Sequence, residues 1–185
     1  MDDCFARLGL PRRWALDLTE VQAAHLRASR ENHPDRFATA PEAERQAAEE
    51  RMARINEACA QLEDPFLRAR ALLAYSGLET DKATDSRADP AFLMAMMEFK
   101  EEADDAMRAQ DAESIQTMIT RALAVETEKL TEVGKRLDSA EDADSSTIDT
   151  DGADCDLRPS ALALLQEVAY FRKTRMALEN SLVSS

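Results

Sequence analysis

The chain has few of the residues that many-stranded proteins need. Only 4 glycines and 6 prolines occur among 185 residues, and aromatic residues make up 5%. Because tight turns between short strands depend on glycine and proline, this scarcity argues against a sandwich or a barrel. The strong helix formers Ala, Leu, Glu, Arg and Met are plentiful. The composition therefore predicts an all-α protein.

Three further shortages exclude classes of function. The formal net charge is −14, whereas a nucleic-acid surface needs a concentrated positive field. No run of about 18 apolar residues is present, so we expect no membrane span. Cys4, Cys59 and Cys155 lie far apart without Cys-x-x-Cys spacing, which argues against disulfides and a zinc site. The acidic start at Met1–Phe5 resembles no secretory signal or transit peptide. We therefore expect a cytoplasmic protein without metal or cofactor.

Charge and composition divide the chain into two units. The net charge is −3 over residues 1–79 and −11 over residues 80–185, which favours two modules with different partners. The polar residues 79–90 have no periodic apolar positions and predict a linker between units 1–78 and 91–185. A stretch at 138–158 holds 8 acidic residues and no basic residue between Asp138 and Asp156, and it predicts a disordered loop.

Helix-end signals predict four helices in the first unit. A short helix over 4–8 is stopped by glycine and proline. A second helix over 20–32 follows Thr19 as its cap, because Thr-Glu-Val-Gln at 19–22 has the form of a capping box. Pro34 ends this second helix. A third helix starts near Pro41 and a fourth covers 66–75. The apolar stripe of the third helix consists of Ala48, Met52, Ile55, Cys59 and Leu62.

Three longer helices, over 92–110, 112–137 and 159–182, predict an antiparallel three-helix bundle in the second unit. On a helical wheel the first of them gathers one stripe that suffices for core packing. That stripe consists of Phe92, Met96, Phe99, Ala103 and Ala106. In the last helix the core stripe is Leu164, Val168, Phe171 and Leu178, which turns the neighbouring Tyr170 outward.

The helix over 92–110 has apolar residues that its core stripe does not need. Leu93, Met94 and Met97 share a second face with Glu98, Glu101 and Asp105. Exposed apolar residues bordered by carboxylates indicate a surface for a protein partner, and methionine adapts well to such a partner. The alternative is that this helix is buried on two sides within the bundle.

His33-Pro34-Asp35 lies in a polar connection between two helices. Proline fixes the backbone there, while an imidazole and a carboxylate project from an exposed tip that suits docking on a basic partner site. The alternative interpretation is a helix stop followed by a turn, because proline and aspartate both favour turns.

The segments around this tripeptide resemble the J-domain family and, within it, the HscB type of iron–sulfur co-chaperone. The matching segments are Asn32-His33-Pro34-Asp35-Arg36-Phe37, Ile55-Asn56-Glu57-Ala58, Asp64-Pro65-Phe66-Leu67-Arg68-Ala69-Arg70-Ala71-Leu72-Leu73 and Phe92-Leu93-Met94. The resemblance covers nearly the whole chain. It implies an N-terminal J-domain that stimulates ATP hydrolysis by a DnaK-type chaperone, HscA, and a C-terminal bundle that delivers the iron–sulfur scaffold IscU.

The resemblance also implies which residues contact each partner. His33, Pro34 and Asp35 become the chaperone-activating triplet, and Arg27, Arg30 and Arg36 become the nearby basic face, although these arginines could equally be a solvated face. The implied scaffold-binding set is Leu93, Met94, Met97, Glu98, Glu101, Asp105 and Tyr170. The adjoining Phe171 leaves the register of Tyr170 open by one residue. His25 departs from the family, which usually carries an aromatic residue there.

Three functions remain open from the sequence. The first is a non-catalytic delivery factor, because the chain has no Gly-rich phosphate loop, Ser-His-Asp set or metal-ligand cluster. The second is a J-domain protein with a different client. The third is a small enzyme that uses His33 and Asp35 as acid and base, although neighbouring positions separated by proline rarely converge on one substrate.

Overall fold

Seven α-helices form the molecule in its computed structural model, which describes residues 3–78, 80, 90–145 and 157–183. The helices are α1 Cys4–Leu8, α2 Leu18–Asn32, α3 Glu42–Glu63, α4 Pro65–Tyr75, α5 Pro90–Ala109, α6 Ala112–Ser145 and α7 Arg158–Val183. A 3₁₀ helix, Pro34–Phe37, joins α2 to α3. No strand occurs in these ranges. The predicted all-α class and the order of the helices are confirmed.

Aspartate side chains begin four of these helices, because their carboxylates accept hydrogen bonds from first-turn amides. Asp3 accepts from the amides of Phe5 and Ala6 at 3.0 and 3.1 Å. Asp64 caps α4 in the same way, and Asp111 accepts from two amides at the start of α6. Asp17 caps α2 through the amide of Thr19 at 2.8 Å. Thr19 was therefore wrongly predicted as the cap, because an aspartate two residues earlier takes that role.

Two helix ends differ from the prediction at the polar segments. Pro90, predicted as the last linker residue, is the first residue of α5, and residues 79 and 81–89 lie outside the described residues. Helix α6 continues to Ser145, so the predicted loop over 138–158 was wrong for its first eight residues. Residues 138–145 contain no glycine or proline, so no strong helix breaker stops the helix there despite the acidic charge. Residues 146–156 lie outside the description.

A first core joins the N-terminal helices to the bundle. It contains Phe5, Val21, Ile55, Leu62 and Leu73 from α1 to α4, together with Val133, Leu137, Ala161 and Leu165 from α6 and α7. The Trp14 side chain packs so tightly on α6 that a Cβ atom added at Gly134 would lie 1.9 Å from Trp14 Nε1. The units on either side of the predicted boundary therefore share one apolar core.

A second core lies in the other half of the bundle. It is built from Phe99, Ala103 and Ala106 of α5, Ile115, Met118, Ile119 and Ala122 of α6, and Phe171 and Leu178 of α7. The predicted stripe of α5 faces this core, with Phe92 and Met96 half-buried at its edge. In α7 the prediction was wrong at one position, because Leu165 is buried whereas Leu164 is only half-buried.

Candidate partner-binding surfaces

The tip between α2 and α3 consists of His33 and the short 3₁₀ helix. His33 caps this helix, with Nδ1 accepting a hydrogen bond from the Asp35 amide at 3.3 Å and lying 3.4 Å from Asp35 Oδ2. The Asp35 side chain is 90% exposed. Pro34 supplies a fixed backbone at the first position. The tip therefore presents its carboxylate to solvent on a rigid backbone.

Two contacts fasten this tip to the helices beside it. Arg36 Nη1 donates to the carbonyl of Arg30 at 3.2 Å, which ties the tip to the end of α2. The Arg51 guanidinium of α3 lies 5.5 Å from the centre of the Phe37 ring, a cation–π contact. The tip is consequently held on both sides.

The predicted basic face is exposed next to this tip. Arg27 and Arg30 lie three residues apart on α2 and share one side of the helix, and Arg36 touches Arg30. Leu26, which was not predicted as part of this face, is 51% exposed beside them. The helical period could have predicted this exposure, because Leu26 lies on the side of α2 opposite Val21 and Ala24, which are buried.

An acid–base enzyme does not fit the tip. Catalytic groups normally lie in a concave, partly apolar pocket, whereas His33 and Asp35 have side chains 53% and 90% exposed.

Among the described residues no group of three or more His, Cys, Asp or Glu side chains is placed to hold a metal ion. In the described ranges no helix is both long and apolar enough to cross a membrane.

The second face of α5 is exposed, as its spacing predicted. Leu93, Met94 and Met97 are 41%, 65% and 67% exposed. Glu98, Glu101 and Asp105 are exposed on the same side, roughly opposite the buried Phe99 and Ala103 on the wheel. The alternative that α5 is buried on two sides is therefore wrong. Arg108 Nη1 contacts Asp105 Oδ1 at 2.7 Å, whereas none of the described basic residues forms an ion pair with Glu98 or Glu101.

Tyr170 lies at the edge of this face and is half-buried, so the prediction that it turns outward was only partly right. Its hydroxyl donates to the carbonyl of Met96 at 3.1 Å, and its ring meets Phe171 edge to face with centres 5.8 Å apart. Phe171 itself is buried in the second core. Of the two neighbours, Tyr170 is therefore the one that a partner on α5 could reach.

An ion pair joins α7 to the junction of α3 and α4. Arg172 Nη1 donates to Asp64 Oδ1 at 3.1 Å and Nη2 donates to Asp64 Oδ2, while the guanidinium lies 5.1 Å from the centre of the Phe66 ring. Partial burial acts to raise the pKa of Asp64, but hydrogen bonds from Arg172 and two backbone amides outweigh it and lower the pKa. Nothing in the sequence marks Arg172, because its partner lies 108 residues away.

Comparison with known proteins identifies the class. A solved structure of the chaperone HscB from Vibrio cholerae matches with a TM-score of 0.71 and 26% identity over 97% of this chain and 96% of that one. The human co-chaperone HscB matches in fold with a TM-score of 0.79 and 22% identity over 100% of this chain and 84% of that one. With its tip and its bundle, the molecule is a J-domain protein with a C-terminal helical bundle.

Sequence relatives narrow that class to one family. A co-chaperone HscB homologue of Paraburkholderia phymatum is 34% identical over 138 residues, covering 75% of this chain and 79% of the relative. The chain belongs to the HscB family of co-chaperones. The homologue of Bordetella pertussis is 47% identical over 107 residues, which are 58% of this chain, and the chain spans 63% of that relative's length. No family model matches the chain.

Proposed function

We propose that the protein is a non-catalytic delivery factor of the bacterial cytoplasm. It stimulates ATP hydrolysis by a DnaK-type chaperone of the HscA kind and brings it the iron–sulfur scaffold IscU during cluster assembly. The observation that supports this most is the presence of two exposed surfaces on one framework, the tip at Asp35 and the apolar face of α5. Holding both partners raises the concentration of the scaffold at the chaperone.

The residues assigned to the chaperone are His33, Pro34 and Asp35 of the tip with Arg27, Arg30 and Arg36 beside it. The arginines would meet an acidic patch, and such complementarity chiefly sets the rate of encounter and the choice of partner. The residues assigned to the scaffold are Leu93, Met94, Met97, Glu98, Glu101, Asp105 and Tyr170. Half-buried Tyr170 offers the exposed part of its side chain, and Met94 and Met97 offer flexible apolar contacts.

A steady-state ATPase assay with purified chaperone tests the first surface. Asp35→Ala is expected to abolish stimulation while leaving scaffold binding unchanged, because the changed carboxylate lies on the tip, not on α5. Glu31→Ala removes a nearby exposed carboxylate from α2 and is the matched control, with stimulation retained. Normal stimulation by the Asp35 variant would reject the proposal.

Calorimetric titration with purified IscU tests the second surface. Leu93→Ala combined with Met97→Ala is expected to weaken binding about ten-fold or more, since removing buried interface anchors typically costs more than 1 kcal/mol each. Leu123→Ala with Met176→Ala is the control, because these bundle residues are 44% and 51% exposed outside the assigned set. Equal weakening by both pairs would contradict a specific α5 surface. No binding by the unaltered protein would favour a J-domain protein with another client.

A further inference from the structure

Three consecutive residues of α7 link the two proposed surfaces. Tyr170 donates to the Met96 carbonyl on α5, and the ring of Phe171 lies 5.1 Å from that of Phe99. The next residue, Arg172, points the other way and binds Asp64 through both guanidinium nitrogens. The same turn of α7 therefore supports the α5 face and holds the base of the N-terminal helices.

Asp64 lies at the base of the N-terminal unit, where a small rotation would be amplified at the tip. It follows the last residue of α3 and caps α4, accepting from the amides of Phe66 and Leu67 at 2.9 and 3.2 Å. Helix α3 has 22 residues and leads from this point back to the tip. At 1.5 Å per residue, Arg51, which contacts Phe37 of the tip, lies about 20 Å from Asp64, so a rotation of about 10° at the base of α3 would move this part of the tip by about 3 Å.

The shared core and this ion pair form two separate contacts along α7. Leu165 belongs to the core, and Arg172 follows seven residues later, about 10 Å further along the helix. Apolar packing in the shared core has no preferred direction, whereas the ion pair is directional and limits small rotations about that core. Two hydrogen bonds and stacking of the guanidinium on Phe66 give Arg172 that direction. A simple tether between two partners would require neither contact.

We propose that Arg172 is a positioning residue that fixes the direction of the Asp35 tip relative to the α5 face. The two partners are thereby held in one geometry, and scaffold bound on α5 increases the stimulation produced at the tip. This inference rests on the proposed function. The Arg172 and Asp64 side chains are 26% and 25% exposed, so the pair is partly buried and its loss lowers stability. Both apolar cores are left intact, so the variants are expected to remain folded.

The test compares Arg172→Met with the unaltered protein in the ATPase assay, with and without IscU. Stimulation without scaffold and the affinity for scaffold are expected to stay unchanged, while the extra stimulation due to scaffold falls about five-fold or more. Asp64→Asn keeps an oxygen for the α4 amides but removes the ionic partner, and it is expected to act in the same way. Arg54→Met, which removes an exposed arginine paired within α3, is the matched control.

Domain orientation is measured independently by residual dipolar couplings of weakly aligned, ¹⁵N-labelled protein. Couplings from α2 and α3 and those from α6 are expected to fit one alignment tensor in the unaltered protein and in Arg54→Met, but to require two in Arg172→Met. A single tensor for Arg172→Met, or full retention of the scaffold effect, would each overturn the inference. Absence of any stimulation by the unaltered protein would instead reject the proposed function and this inference with it.

Discussion

Arg68 shows how one buried side chain can organise several backbone segments. Its Nε donates to the carbonyl of Leu62 at 2.8 Å, and its Nη1 donates to those of Trp14 and Leu16 at 2.9 and 3.5 Å. The side chain is buried, which lowers the pKa of the guanidinium, and the nearby Asp64 partly opposes that shift. Arg68 thus joins the end of α3 to the loop before α2.

Replacing Arg68 by methionine is expected to lower the free energy of unfolding by roughly 3 kcal/mol, because buried carbonyls lose a charged donor. Urea unfolding measures this change. Arg54→Met is the control, and it should change stability by less than about 1 kcal/mol because that side chain pairs with Glu50 on the surface. Equal effects of the two substitutions would show that the buried hydrogen bonds contribute nothing specific.

At Gly134, helix propensity favours alanine whereas packing against Trp14 favours glycine. Within a helix, Gly→Ala ordinarily stabilises by up to about 1 kcal/mol. Here the new methyl group would lie 1.9 Å from Trp14 Nε1, so the half-buried indole would have to move. We expect packing to dominate and Gly134→Ala to destabilise by about 1–3 kcal/mol.

Thermal unfolding and tryptophan emission measure the effect of this substitution. Trp14 is the only tryptophan in the chain, so a red shift of the emission would report its displacement directly. Lys135→Ala changes the neighbouring exposed position of α6 and should leave the emission unchanged. A more stable Gly134 variant with unshifted emission would show that Trp14 does not rest on this glycine.

At the scale of helices, Asp64 gives the α3–α4 junction a pH dependence. Its pKa lies below the ordinary 3.8, so its contribution to stability is complete above about pH 5 and is lost as the pH falls through the folded pKa. Asp64→Asn cannot titrate. We therefore expect the stability gap between the two proteins to be constant from about pH 7 to 5 and to shrink below about pH 4. Urea midpoints across this range measure it, and a gap that persists undiminished at about pH 2 would contradict the expectation.

The helices were largely predictable from the sequence because their ends carry local signals. Pro65 starts α4, Gly9 ends α1 with a positive φ of 64°, and the α5 stripe follows the helical period. The end of α6 was missed because a run of acidic residues was interpreted as a loop, although charge alone does not stop a helix. Which face of α5 is exposed was also predictable, since only one of its apolar stripes could enter the core.

Contacts between distant segments were not predictable from the sequence. Arg68 and Arg172 look like ordinary helix arginines in the sequence, and only the folded chain places the first under Trp14 and the second against Asp64. Gly134 likewise has no signal in its own helix. The assigned partner residues could be chosen by resemblance and exposure, but their binding is a property of complexes and stays a prediction.

At the scale of the whole molecule, α6 and α7 each contribute to both cores. Val133 and Leu137 lie in the first core while Ile115 and Ile119 of the same helix lie in the second. Glu126 is buried between the two groups and accepts a hydrogen bond from Arg175 Nε of α7 at 2.8 Å, which fixes the register of the pair. Unfolding of either core would therefore remove helix contacts that stabilise the other.

This continuity predicts that the chain unfolds as one cooperative unit. Phe99→Ala, a change in the second core, is expected to cost about 3–4 kcal/mol and to lower the urea midpoint reported by Trp14, which packs against the first core. Fluorescence of Trp14 and far-ultraviolet circular dichroism should give coincident curves before and after the substitution. Two separate transitions, or a urea midpoint from Trp14 fluorescence that Phe99→Ala leaves unchanged, would show that the cores are independent. In that case α6 and α7 would transmit no rigidity from the α5 face to the tip, and the orientation attributed to Arg172 would have to depend on that ion pair alone.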